Sequence, residues 1–144
     1  MRKIILIYAL VLISTVLISC SHQISYDSFE ELIKHLKSKG YDIVVEDVEK
    51  SILAGKRKWI TINDSENISV YLYNKNEQME KDASYLSADG SSYDNGRKVV
   101  MIEWFSYPYF FKKENMIVLY VGDNLEIVHI LEEFLGPQFA GYGE

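Results

Sequence analysis

The sequence predicts an α+β fold: one small domain in which a mainly antiparallel sheet of about five strands packs with about three helices. Segments with apolar residues at helical spacing alternate along the chain with segments rich in β-branched residues. The links between neighbouring strand segments have the length of turns, which favours antiparallel pairing. The apolar fraction of 48% and the aromatic fraction of 13% are typical of a chain that folds around a core.

The first element predicted after the leader is a helix over residues 28–39. Ser28-Phe29-Glu30-Glu31 has the pattern of a capping box, and Gly40 provides the stop. The β-branched residues 43–45 then predict a strand.

A hairpin is predicted next. Residues 51–62 indicate a strand that bends at Ala54-Gly55, and Asn63-Asp64-Ser65 is a turn signal. Apolar residues alternate with others over 68–72, which predicts the returning strand.

A second helix is predicted from Asn76, a capping residue, to the exit at Asp89-Gly90. Residues 91–96 then form a polar loop. The apolar face of this helix consists of Met79, Ala83 and Leu86.

Two further strands are predicted over residues 99–105 and 116–121. The second is apolar at every position, as expected of a central strand that is covered on both faces. Asp123 with Glu126 opens a last helix, which Gly136-Pro137 ends. Its apolar positions are Leu125, Val128, Leu131 and Leu135.

The amino-terminal segment has the pattern of a signal peptide. Arg2 and Lys3 precede an uncharged apolar run over residues 4–18. As a helix this run would be roughly 22 Å long, shorter than the roughly 30 Å of a bilayer's hydrocarbon core, so a permanent transmembrane helix is the weaker interpretation.

The run ends in Leu17-Ile18-Ser19-Cys20, which resembles the lipobox of bacterial lipoprotein precursors. The resemblance implies that a diacylglyceryl group is attached to the Cys20 thiol and that the chain is cut before Cys20. It predicts three parts: a signal peptide (1–19), a lipidated cysteine with its tether (20–26) and a globular α+β domain (27–144). Two acyl chains would hold the domain at the extracytoplasmic face of the cell membrane.

The aromatic stretch from Trp104, together with residues 117–123 and 136–141, is similar to sequences of small uncharacterised lipoproteins of Bacillus-like Gram-positive bacteria. This resemblance implies a lipid anchor and no known activity. It assigns a role to Cys20 alone.

Composition argues against several classes of partner and site. The chain has 15 Lys and Arg against 21 Asp and Glu, and two of the basic residues lie in the leader, so we expect no nucleic-acid partner. Cys20 is the single cysteine, which excludes an intramolecular disulfide. We expect no cofactor and no metal site, since His22, His35 and His129 lack ligand spacing.

No catalytic residue is predicted. No serine stands in a Gly-x-Ser-x-Gly elbow, and Cys20 would be consumed by lipid. Gly55-Lys56-Arg57-Lys58 lacks the remaining residues of a phosphate-binding loop and is interpreted as a basic hairpin turn. His35 is interpreted as solvated, and His129 as partly buried beside Val128.

The candidate binding surface is an aromatic segment interrupted by Pro108. Alternation from Val100 leaves Phe105 and Tyr107 on the face opposite Trp104, so some rings should be exposed. The competing interpretation is a core strand with an aromatic turn. A membrane-interface role would set Lys112 and Lys113 beside lipid phosphates. The candidate residues are Trp104, Phe105, Tyr107, Tyr109, Phe110 and Phe111.

The preferred hypothesis is a non-enzymatic, membrane-anchored domain that binds an unknown protein, peptide or envelope partner through this segment. The alternative is an envelope enzyme, hydrolase-like, with a site of scattered polar residues; its signs would be a deep pocket with buried carboxylates or a role for His129. A third hypothesis is a structural or inhibitory lipoprotein that acts on a neighbouring membrane protein.

Overall fold

The structure, a computed structural model, describes residues 24–143. It confirms the predicted α+β class, with a main antiparallel sheet of six strands and a second sheet of two. No helix in residues 24–143 is long and apolar enough to cross a membrane. The signal peptide, the lipobox and Cys20 lie outside the described residues.

Three helices are described: α1 (Asp27–Ser38), α2 (Asn76–Ala83) and α3 (Leu125–Leu135). The strands are β1 (Ile43–Asp47), β2 (Lys56–Ile62), β3 (Glu66–Leu72), β4 (Ser92–Asp94), β5 (Val99–Met101), β6 (Pro108–Lys113), β7 (Met116–Val121) and β8 (Ala140–Gly141).

The main sheet has the order β1-β2-β3-β7-β6-β8, and every neighbouring pair is antiparallel. The predicted central strand is therefore confirmed, because β7 lies between β3 and β6 and is buried along most of its length. The predicted β2–β3 hairpin is also confirmed. Its turn residues Asn63 and Asp64 have φ of 49° and 55°, the left-handed values that tight hairpin turns require.

Alternation along the strands builds two cores. One set of side chains, which includes Ile68, Val70 and Val118, packs against α1 and α3 on what we call the helix face. The other set, which includes Tyr71, Phe110 and Leu119, packs against α2 and the β4–β5 hairpin on what we call the open face. The cover on the open face is incomplete, because Trp59 and Thr61 of β2 stay partly exposed there.

Three predicted caps are wrong in detail. Lys75, not Asn76, is the residue before α2, and no side chain caps that helix. Tyr26 is the residue before α1, no side chain caps that helix, and Ser28 instead donates a hydrogen bond to Glu114. The cap of α3 is Asn124 rather than Asp123, since Asn124 Oδ1 accepts from the Glu126 amide. Consequently Leu125, predicted as apolar core, is 59% exposed.

Four predicted segments also differ. The helix predicted to continue to Asp89-Gly90 ends at Ala83, and Leu86 beyond it forms a β-bridge with Tyr93. The strand predicted over 51–62 begins only at Lys56, because residues 51–55 pack over the open face through Leu53. The loop predicted over 91–96 contains β4, which pairs with β5. The strand predicted over 99–105 ends at Met101.

The folded part includes residues assigned to the tether by sequence. Ile24 and Tyr26 pack against the core on the helix face. The Asn115 side-chain amide donates a hydrogen bond of 2.9 Å to the Ser25 carbonyl. The amino-terminal chain thus joins the domain beside the β6–β7 turn, at one end of the sheet.

Candidate functional site: an aromatic cleft

A cleft of about 430 Å³ lies where the open face is left uncovered. Its floor is formed by β2, β3 and β7, one wall by residues 51–52 and the other by residues 104–106. We call it the aromatic cleft. Its principal side chains are Arg57, Trp59, Ser69, Tyr71, Trp104 and Phe105.

Arg57 is the one basic side chain among the described residues that line this cleft. Its Nε and Nη2 groups donate hydrogen bonds of 3.2 and 2.9 Å to the Ser69 hydroxyl. One serine oxygen therefore fills the side-on fork of the guanidinium. The end-on fork, formed by Nη1 and the second hydrogen of Nη2, makes no hydrogen bond to the described part of the chain.

Two aromatic rings hold the guanidinium in place. Its carbon lies 5.1 Å from the centre of the Trp59 ring and 5.9 Å from that of Tyr71. Burial raises the pKa of Tyr71, so this phenol remains neutral at physiological pH and does not neutralise the arginine. The Trp59 indole is fixed in turn by a 3.0 Å hydrogen bond from Nε1 to Asn67 Oδ1.

Arg57 has no acidic partner among the described residues. No Asp or Glu oxygen in residues 24–143 lies within 4.0 Å of its guanidinium nitrogens. On the same strand, Lys58 points to the helix face, where it makes a 2.9 Å ion pair with Asp47. Because side chains alternate along β2, Arg57 lies on the open face, whereas Lys56 and Lys58, which form ion pairs with Asp47, lie on the helix face.

Trp104 forms the opposite wall. Its indole Nε1 donates a 2.9 Å hydrogen bond to the Gly90 carbonyl, and its ring packs edge-on against Phe110 at 5.9 Å. Gly90 has φ of 70°, and a Cβ atom there would lie 2.9 Å from the Phe110 ring, so the close approach requires glycine.

The exposed rings follow the predicted alternation. Phe105 is 91% exposed and Tyr107 is 45% exposed, whereas Trp104 is half-buried. The Tyr107 ring lies 4.2 Å from that of Tyr142. The Tyr107 carbonyl accepts from the Gly122 amide, which sets these rings at the end of the sheet opposite the β6–β7 turn.

Half of the predicted aromatic surface is core, which corrects that prediction. Tyr109, Phe110 and Phe111 are each at most 5% exposed, because β6 is an inner strand covered on both faces. Pro108 begins this strand, where its missing amide costs no ladder bond. Trp104, Phe105 and Tyr107 remain as the accessible part.

The two lysines that follow are engaged within the fold. Lys112 forms an ion pair with Glu80. Lys113 donates a 2.9 Å hydrogen bond to the Phe134 carbonyl and lies 3.9 Å from the centre of that ring.

A second cluster surrounds the buried carboxylate of Asp82, at the end of α2. One oxygen accepts from the Tyr73 hydroxyl and from the Ala54 amide, both at 2.7 Å, and the other accepts from the Tyr93 hydroxyl at 2.6 Å. Three donors from three segments thus occupy the carboxylate, which ties residue 54 and the β4–β5 hairpin to α2.

His35 and His129 lie apart from both clusters. His129 is exposed, not partly buried as predicted. His35 is half-buried rather than solvated, because its ring stacks on Phe134 at 5.1 Å. No group of three or more His, Cys, Asp or Glu side chains in residues 24–143 is arranged to hold a metal ion.

Sequence reasoning missed Arg57, Trp59 and Ser69. The segment 55–58 was interpreted as a basic turn, which is wrong because residues 56–58 are the start of β2. The signal was present: Ile60 and Ile62 mark the helix face, so Arg57 and Trp59 fall on the other face by alternation. The position of residues 104–106 against them depends on tertiary packing.

No family model, no curated protein and no solved structure matches the chain.

Proposed function

We propose that this protein is a non-enzymatic binding domain, anchored by lipid on Cys20 at the extracytoplasmic face of the cell membrane, which recognises its partner through the aromatic cleft. The observation that carries the proposal is the position of the cleft's exposed rings relative to the chain's entry point. Phe105 and Tyr107 lie at one end of the sheet, and Ser25 is bound at the other by Asn115.

The short tether would determine which end of the domain faces the membrane. Cys20 and Ser25 are separated by five residues, a span of at most roughly 17 Å. The segment from Met116, where β7 begins, to Gly122, which follows it, adds roughly 20 Å between the β6–β7 turn and the exposed rings. An anchored domain would therefore keep the turn near the bilayer and hold Phe105 and Tyr107 away from it.

The exposed rings themselves support a binding role. A phenylalanine that is 91% exposed beside a concave aromatic surface contributes little to the stability of the isolated domain, since little of its apolar area is buried. Contact with a partner would bury it. Aromatic side chains and arginine are the residues that carry most binding energy in protein interfaces.

The buried polar groups favour binding over hydrolysis. The Asp82 carboxylate, the buried acid beside a pocket, already accepts three hydrogen bonds and holds three segments together. His129, the base that the enzyme alternative would use, is exposed on α3. The position of Asp82 suits a structural role, and that of His129 suits a solvated side chain.

Quenching by brominated lipid tests the orientation. The chain's two tryptophans, Trp59 and Trp104, both line the aromatic cleft, so tryptophan emission, excited selectively over that of tyrosine, reports this site. The lipidated protein is placed in phosphatidylcholine vesicles with brominated acyl chains. We expect no quenching of wild-type fluorescence relative to unbrominated vesicles.

A matched variant supplies the positive control. Glu77→Trp adds an indole in the first turn of α2, close to the β6–β7 turn because Asn76 bonds to the Glu114 carbonyl. Its additional fluorescence should be quenched. Equal quenching of the wild type would mean that the aromatic end rests on the bilayer, and the proposed recognition face would then be a membrane contact.

A further inference from the structure

We infer that the aromatic cleft binds the carboxyl-terminal end of an extended peptide, with the terminal carboxylate on Arg57 and apolar side chains against Trp59, Trp104 and Phe105. The inference rests on the proposed binding function and names the class of ligand.

The guanidinium of Arg57 is held in an orientation that can bind a carboxylate. Ser69 occupies the side-on fork, and the two flanking rings restrict the guanidinium, so the end-on fork is held open in one orientation. A carboxylate matches two parallel N–H donors, and such charge-assisted pairs are short and directional. Because no described acidic group lies within 4.0 Å of Arg57, a ligand anion meets no internal competitor.

The wall of the cleft favours a peptide over other anions. In residues 103–106, no backbone amide or carbonyl makes a hydrogen bond to the described part of the chain. Free backbone donors and acceptors in the wall of a cleft can pair with the backbone of a bound peptide. A sugar ring offers no such repeating backbone.

The cleft has room for a short segment. Ser69 lies opposite Leu119 on β7, and Gly122 at the open end is three residues further along. This distance is roughly 10 Å, which is the length of about three residues of extended chain. Phe105 stands at the open end, where the peptide would continue out of the cleft.

The electrostatic pattern fixes the direction of the peptide. Arg57, which pairs with Tyr71, lies towards one end of the cleft floor, whereas Asp123 follows Gly122 at the other end. A carboxylate is attracted to the first and repelled by the second. The terminus should therefore enter first and stop at Arg57.

Fluorescence titration of the full-length protein, purified in detergent, tests this inference. The probe is an acetylated tripeptide of leucine, phenylalanine and leucine, supplied as the free acid and as the carboxyl-terminal amide. We expect the free acid to change the emission of Trp59 and Trp104 and to bind about tenfold more tightly than the amide, or better, as for a lost charge-assisted pair.

Three variants sharpen the result. Arg57→Gln should abolish the preference for the free acid, and Arg57→Lys should reduce it, because lysine keeps the charge but lacks the fork. Lys56→Gln is the matched control: it removes a cation one residue away on β2, on the helix face beside Tyr26, and should leave binding unchanged.

Other outcomes overturn the inference. Equal binding of acid and amide, unchanged binding by Arg57→Gln, or no binding by any tripeptide would each reject the carboxyl-terminal peptide. Tighter binding of free glucuronate than of the tripeptide would assign the cleft to acidic sugars instead. None of these results bears on the lipid anchor, which the intact mass of the protein tests, or on the orientation of the domain, which quenching in vesicles tests.

Discussion

The phenol of Tyr93 donates a hydrogen bond of 2.6 Å to the carboxylate of Asp82, which joins the small β4–β5 sheet to the end of α2. The Tyr73 hydroxyl and the Ala54 amide bind the other oxygen of the same carboxylate. These contacts fix the cover of the open face and, through Gly90 and Trp104, one wall of the aromatic cleft. The stability of this cluster is therefore a condition for the cleft.

Replacing Asp82 by asparagine should destabilise the domain by about 2–4 kcal/mol, because the amide nitrogen would face buried donors that it cannot accept from. Urea denaturation measures this loss. Glu77→Gln, an exposed change on the same helix, is the control and should cost less than about 1 kcal/mol. Similar losses for both variants would mean that the Asp82 cluster is not a major stabilising element.

Stability should also fall in alkaline solution. Burial, and then the hydrogen bond to Asp82, raise the pKa of Tyr93 to about 12, above the value of 10 in an unfolded chain. The folded state consequently holds a proton that the unfolded state loses between these values, so this contribution is complete below pH 10 and disappears as pH rises towards 12.

Urea denaturation at pH 9, 10 and 11 should show this decline. Tyr93→Phe removes the ionisable group, so the variant should be less stable at pH 9 but should lose less stability between pH 10 and 11. A decline in the variant as steep as that in the wild type would contradict the assignment to Tyr93.

Substitutions at buried and at exposed positions of the aromatic segment should have very different effects on stability. Phe110 is 1% exposed and contacts Trp104 and Phe139, so Phe110→Ala should cost about 3–5 kcal/mol. Phe105→Ala should change stability by less than about 0.5 kcal/mol, because its ring is exposed. Thermal or urea denaturation of both variants tests the division, and comparable losses would contradict it.

The fold class, the β2–β3 hairpin and the central position of β7 could be predicted because each depends on local patterns. Alternation, turn residues and a continuous apolar run are properties of short segments. The same alternation correctly predicted that Phe105 and Tyr107 are exposed. It failed for Tyr109, Phe110 and Phe111, because a segment does not encode which elements will cover both of its faces.

The aromatic cleft was beyond prediction for a related reason. Arg57 and Ser69 lie on adjacent strands, and the register of β2 and β3 is enough to bring them together. Trp104 reaches the same site only because the β4–β5 hairpin and Gly90 pack against it. Contacts between segments distant in sequence determine that wall. Such long-range contacts cannot be read from the local patterns of a single sequence.

The intact mass of the protein isolated from membranes of a Gram-positive host tests the central claim, a lipid-anchored domain, most directly. We predict a wild-type chain that begins at Cys20 and carries the mass of a diacylglyceryl group, whereas Cys20→Ala carries no lipid and keeps residues 1–19 or is released. A wild-type chain that retains residues 1–19, or that lacks lipid on Cys20, would contradict the account.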